Sequence, residues 1–148
     1  MRSFSPEQMS NKQDTPPTIL LVEPDDETRS LLRYNLRNRG YRVIVALDEE
    51  DAIERTRDGH ECPDLILLSQ YLLPLDEFIN MGRRIRQDAG FPSGTPLVVM
   101  AEKYGPDMEG KDVRVSDTEY VTYLEDGEQL MNLLYRICPV STRPNQPV

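Results

Sequence analysis

The sequence predicts an α/β fold, a doubly wound parallel sheet with helices on both faces. Three observations carry this. Short continuous apolar runs, Ile19-Leu20-Leu21-Val22 and Leu65-Ile66-Leu67-Leu68 foremost, mark strands buried on both faces. Stretches with apolar residues at helical spacing separate those runs. The chain's 148 residues suit one domain with tails. Strands alternating with helices imply parallel neighbours joined by right-handed crossovers.

Ile19–Val22 is the first strand. Residues 26–38 follow as a helix, with Leu31, Leu32, Tyr34 and Leu36 along one side. Asp25 or Asp26 caps this helix and Gly40 ends it. Arg29, Arg33 and Arg37 recur every fourth residue and read as a solvated basic stripe. Tyr41–Ala46 is the second strand. Asp48, with Asp51 three residues on, resembles a capping box and opens a helix over residues 49–58. Pro63–Leu68 is the third strand. Residues 77–88 form a helix with Phe78, Met81 and Ile85 inward. Pro96–Ala101 is the fourth strand and Glu119–Thr122 a short fifth. Residues 126–137 close the core as a helix, with Leu130, Leu133, Leu134 and Ile137 at helical spacing.

Segment 102–118 breaks the rhythm. It holds Gly105, Pro106 and Gly110 and no amphipathic repeat, so at most one helical turn fits there. A connection this long without an element of its own is unusual in a compact domain. It is therefore a candidate functional segment.

Composition excludes several classes. Lys and Arg number 17 against 26 Asp and Glu, a formal net charge of -9. Residues 1–18 carry Arg2, Glu7, Lys12 and Asp14, which cancel, and residues 139–148 carry only Arg143. The segment 19–138 is thus one unit more acidic than the whole chain. Such a surface lacks the footprint of a nucleic-acid binder and is repelled by anionic membranes. No apolar run approaches the roughly 20 residues of a membrane span, and the N-terminus has no apolar signal-peptide segment. Two cysteines, Cys62 and Cys138, make no disulfide framework and read as reduced thiols. The expectation is a soluble, cytoplasmic protein. Residues 1–17, with Pro6, Pro16 and Pro17, read as a flexible arm, and 139–148 as a flexible Pro-rich tail.

Sites in such folds sit at the carboxyl ends of the strands. There the sequence resembles a family. TILLVEPDDETRSLLRYNLRNRGYRV followed by PDLILLS is similar to the receiver domain of bacterial response regulators, over Thr18 to Cys138. The resemblance implies a flavodoxin-like five-stranded parallel sheet of order 2-1-3-4-5 over residues 18–138, here with a degenerate fourth helix. In that family an acidic pair after the first strand binds Mg²⁺ and an Asp ending the third strand accepts a phosphoryl group. A Thr or Ser ends the fourth strand, and a Lys followed by a cis-Pro ends the fifth. Metal and Lys offset phosphoryl charge while the carboxylate attacks.

Carried over position by position, most of these groups are missing. Glu23 falls on the first acid and Pro24 on the second. Ser69 falls on the phosphoacceptor, Ala101 on the hydroxyl residue, Tyr123 on the Lys and Leu124 on the Pro. Tyr120 keeps the aromatic switch position. The losses are mutually consistent, because two of three carboxylates are gone and little is left for a Lys to neutralise. Tyr123–Leu124 lacks a proline, so a trans bond is expected. Asp25 and Asp26 read as helix-capping acids rather than replacement ligands, and Glu23 alone is a poor Mg²⁺ site. No metal and no cofactor are expected. Ser69 has no adjacent base, since the single histidine, His60, lies before the third strand. Tyr34, Tyr41 and Tyr71 read as core-edge aromatics.

The resemblance implies a degenerate, stand-alone receiver, a pseudo-receiver. It would act without catalysis in two-component phosphorelay signalling, by phosphorylation-independent binding of a protein. The Pro-rich tail is too short for a DNA-binding domain, so output is expected through direct contact. The partner would be a histidine kinase or another regulator, docked on the 102–137 face; a homodimer is the other association expected. A phosphorylatable receiver using Glu23, Asp25 or Asp26 would need a new acceptor, and Asp76 and Glu77 lie several residues beyond the third strand. A small-molecule or flavin site would want a Gly/Ser/Thr-rich first loop, whereas Glu23-Pro24-Asp25-Asp26-Glu27 repels phosphate.

Overall fold

The computed structural model describes residues 15–57 and 61–140. Expectations for the N-terminal arm, most of the Pro-rich tail and His60 fall outside the described residues. The elements are β1 (Thr18–Val22), α1 (Asp26–Asn38), β2 (Arg42–Ala46), α2 (Glu49–Thr56), β3 (Leu65–Ser69), α3 (Leu75–Asp88), β4 (Leu97–Met100), β5 (Asp112–Ser116), β6 (Glu119–Thr122) and α4 (Gly127–Ile137).

Period-two alternation sorts the strand residues onto two faces. Ile19, Leu21, Leu65, Leu67, Val98 and Met100 pack with Leu36 of α1 and with Leu130, Met131, Leu133 and Leu134 of α4. Leu20, Val22, Ile66, Leu68, Leu97, Val99 and Val121 pack with Ala52 of α2 and with Phe78, Ile79 and Ile85 of α3. Burial on both faces is why β1 after Thr18 and β3 before Ser69 carry only apolar side chains.

The helix starts follow capping chemistry. Asp25 accepts from the Thr28 backbone N–H, Asp48 from that of Asp51 and Asp126 from that of Gln129. Asp51 reaches back to the Leu47 N–H, one residue before the cap. Gly40, at φ +103°, supplies the left-handed residue after α1.

The sheet order is β2-β1-β3-β4-β6-β5. The five parallel strands expected from the sequence are present in the order 2-1-3-4-5, if β6 is counted fifth. The expectation of five strands and a degenerate fourth helix is corrected. Segment 102–118 holds turns over 106–110 and then β5, which pairs antiparallel with β6 at the sheet edge. The chain leaves β4, passes the position of β6, returns as the edge strand and enters β6 through the tight turn at Asp117 and Thr118. Parallel neighbours β4 and β6 are thereby connected without a crossover helix.

Glu119 closes the face that a helix would cover. Arg83 of α3 grips its carboxylate with Nε at 2.7 Å and Nη2 at 2.5 Å, and Arg86 adds Nη2 at 3.2 Å. Glu119 is 3% exposed. The hydrogen bond from Arg83, foremost, pulls its carboxyl down to about 2.

Other sequence expectations need correction. Leu31 and Tyr34 point to solvent, and α1 faces the core through Leu36 and Leu32. Tyr71 is also exposed, so of the three tyrosines only Tyr41 is a core residue; its hydroxyl donates to the Cys138 carbonyl at 2.8 Å. Arg29 does not share the solvated stripe of Arg33 and Arg37 but folds back on the first loop. Cys62 and Cys138 are free thiols, exposed and buried respectively, and burial pushes the Cys138 thiol up to about 11. Among the described residues no helix is long and apolar enough to cross a membrane.

Candidate functional site

Parallel pairing brings the ends of β1, β3, β4 and β6 to one edge, with Val22 beside Leu68, Ser69 beside Met100 and Met100 beside Thr122. Glu23, Ser69, Ala101 and Tyr123 therefore share this edge. Glu23 and Ser69 are in direct contact: the Ser69 hydroxyl donates to Glu23 Oε1. The Asp25 backbone N–H donates to Oε2 at 3.0 Å. Glu23 is 6% exposed. Both oxygens of this buried carboxylate thus have partners from the chain, as burial demands.

Pro24 is exposed and supplies no side-chain acid. Asp25 caps α1 through both the backbone N–H and the hydroxyl of Thr28, and the backbone bond, foremost, lowers its carboxyl below the usual aspartate value. Asp26 pairs with Arg29. The same guanidinium donates Nη1 to the carbonyls of Glu23 at 3.0 Å and Pro24 at 3.3 Å. A cation of the chain itself therefore lies along the acidic first loop. Among the described residues no group of three or more His, Cys, Asp or Glu side chains could hold a metal ion.

Ala101 sits beyond β4, its N–H bonded to the Thr122 carbonyl at 3.0 Å. Tyr123 packs against the α3-side core, and its ring meets Tyr104 edge-on with centroids 5.4 Å apart. Its backbone pairs with segment 102–118: Tyr123 N–H donates to Lys111 O at 2.8 Å and Gly110 N–H to Tyr123 O at 2.7 Å. The Tyr104 hydroxyl donates to the Leu124 carbonyl. No described peptide bond is cis, so Tyr123–Leu124 is trans as expected, and the loop into α4 is held by Tyr104 instead. Tyr120 lies on the other face of β6, half-buried against the α1 and α4 core and opposite Arg114.

Two residues that the sequence reading missed fix the mouth. Gln70 Oε1 accepts from the Glu102 N–H at 2.7 Å, and its Nε2 donates to Leu73 O at 2.9 Å. Glu102 Oε1 accepts from the Leu72 N–H at 3.0 Å. Together they hold Leu72 at φ +68°, a strained angle for a leucine, with Tyr71, Leu72 and Leu73 exposed. No local pattern signals this, because the two partners lie thirty-two residues apart.

No family model matches the chain. The transcriptional regulatory protein AfsQ1 of Streptomyces coelicolor is 33% identical over 123 residues, covering 76% of this chain and 53% of that protein. This chain spans about half the length of that regulator. An uncharacterized 14.6 kDa protein of Leptolyngbya boryana is 29% identical over 122 residues, covering 81% of this chain and 88% of that one. A response regulator from Thermotoga maritima superposes with a TM-score of 0.60 at 23% identity, over 82% of this chain and 97% of that one. That likeness shows the fold. The chain thus has the fold of that response regulator and is similar in sequence to about half of AfsQ1.

Proposed function

We propose that this receiver-like domain is a pseudo-receiver, a signalling module that binds a protein partner and takes up no phosphoryl group. The observation that carries this is the Ser69–Glu23 hydrogen bond. A neutral hydroxyl stands where the resembled family has its acceptor carboxylate, and it is engaged with the one acid that matches. A phosphoryl acceptor must be a free nucleophile, and the Ser69 hydroxyl is held by the Glu23 carboxylate, whose other oxygen accepts from the Asp25 N–H. The alternative of a rearranged acidic site is weakened by the commitments of Asp25 to Thr28 and of Asp26 to Arg29.

The partner is a histidine kinase or another regulator, and the contact surface is the 102–137 face. In this structure that face comprises β5, β6 and α4. A pull-down from the native host with the full chain, repeated after replacing 102–118, tests the reading. The expected result is a signalling protein that is lost on replacement. Equal capture by both forms overturns the assignment of the surface.

A further inference from the structure

We propose that the free edge of β5 pairs antiparallel with β5 of a second copy of this chain, joining two sheets into one. This holds whether or not the domain takes up phosphoryl groups.

β5 is an edge strand, and an edge presents unpaired backbone donors and acceptors. Hydrogen-bonding direction alternates along an antiparallel strand. Lys111 O accepts from the Tyr123 N–H, so the Lys111 carbonyl and the backbone groups of Val113 turn toward β6. Asp112 and Arg114 therefore turn theirs outward. The bulge between Arg114 and Ser116 ends the regular edge there.

Charge selects the register. A two-fold axis at Arg114 would set arginine against arginine, and one at Asp112 would set aspartate against aspartate. An axis at Val113 sets Asp112 opposite Arg114 of the second copy, twice. Those two pairs are also the ones whose backbone groups face outward, so each exchanges N–H and C=O bonds. Opposite charges across a strand pair are favourable and like charges unfavourable. On the other face Val113 meets Val113 and Val115 is covered; they are 38% and 45% exposed in the single chain.

The register gives a specific test. A pair at a two-fold axis that is not hydrogen-bonded has Cα atoms about 4.5 Å apart, within disulfide reach. In a Cys62→Ser background, Val113→Cys should form a disulfide-linked dimer under mild oxidation. Arg114→Cys, which faces Asp112, should not. Sedimentation of the unmodified full chain at about 0.15 M salt should show a concentration-dependent dimer, and Arg114→Glu should weaken it at least several-fold. A chain that stays monomeric at every concentration overturns the proposal. So does Val113→Cys that links no faster than Arg114→Cys.

Discussion

The Ser69 hydroxyl donates a hydrogen bond to Oε1 of Glu23, across the carboxyl ends of adjacent strands β3 and β1. A buried acid is thus satisfied by a neutral group. The contact replaces the like-charge repulsion that a second carboxylate would bring, so no lysine or metal is needed to hold the edge together.

Removing that hydroxyl should therefore cost stability. Ser69→Ala leaves a buried carboxylate oxygen without a partner, worth about 1–3 kcal/mol. Urea unfolding should show a lower midpoint with an unchanged slope. Ser69→Asp should cost more at neutral pH, because two carboxylates then share the site. Its deficit should shrink as pH falls and the pair takes up a proton. A variant with Asp at this position that matched the parent at neutral pH would show that the site tolerates two charges.

Glu119 gives a pH dependence with a defined sign. Its folded value of about 2 lies below the ordinary value of 4.5. The stabilisation it contributes is full above about 4.5 and is lost as pH falls toward 2. Glu119→Gln should destabilise by roughly 3 kcal/mol, the low end for breaking a buried ion pair, because Arg83 stays half exposed and Arg86 keeps the Thr95 carbonyl. The acid limb of its stability profile should flatten. An unchanged acid limb would mean that Glu119 is not the titrating group.

Helix α3 approaches the sheet at Gly82. A Cβ there would lie 2.8 Å from Leu97 Cδ2 and 3.2 Å from Leu68 Cδ1, and both leucines are fully buried. Overpacking costs about 1–3 kcal/mol, and the gain in helix propensity returns up to about 1. Gly82→Ala should lower the thermal midpoint by a few degrees. A raised midpoint would show that the leucines repack freely.

How much of this was legible in the sequence depends on where the signal lay. The apolar runs of β1, β3 and β4 placed the sheet, and the Asp25 and Asp48 caps placed two helix starts, because those signals are local. β5 escaped notice because Asp112-Val113-Arg114-Val115-Ser116 is exposed and carries only two apolar residues. Its period-two alternation, followed by a two-residue turn and Glu119–Thr122, was nonetheless a hairpin signal. Leu31 and Tyr34 were misplaced because two apolar stripes were available on α1 and only packing chooses between them. The vacated positions Pro24, Ser69, Ala101 and Tyr123 could be named from the resemblance. That Ser69 and Arg29 would close the first loop could not, since neither contact follows from spacing.

Tyr120, at the aromatic position of the resembled family, makes a dynamic prediction. Ala101 has no hydroxyl to move and Ser69 carries no phosphoryl group to draw it. A ligand shifts an equilibrium only by interacting differently with its two states. Tyr120 should hold one position, set by its packing against the α4-side core. Relaxation-dispersion NMR of Tyr120 should show no exchange that responds to Mg²⁺ and beryllofluoride. A response would contradict a locked domain.

The central claim is that the edge formed by Glu23, Ser69, Ala101 and Tyr123 accepts no phosphoryl group. Intact-mass spectrometry of the full chain, after incubation with acetyl phosphate and Mg²⁺, tests it most directly. The account predicts an unchanged mass. A stoichiometric, base-labile gain of one phosphoryl group would contradict it.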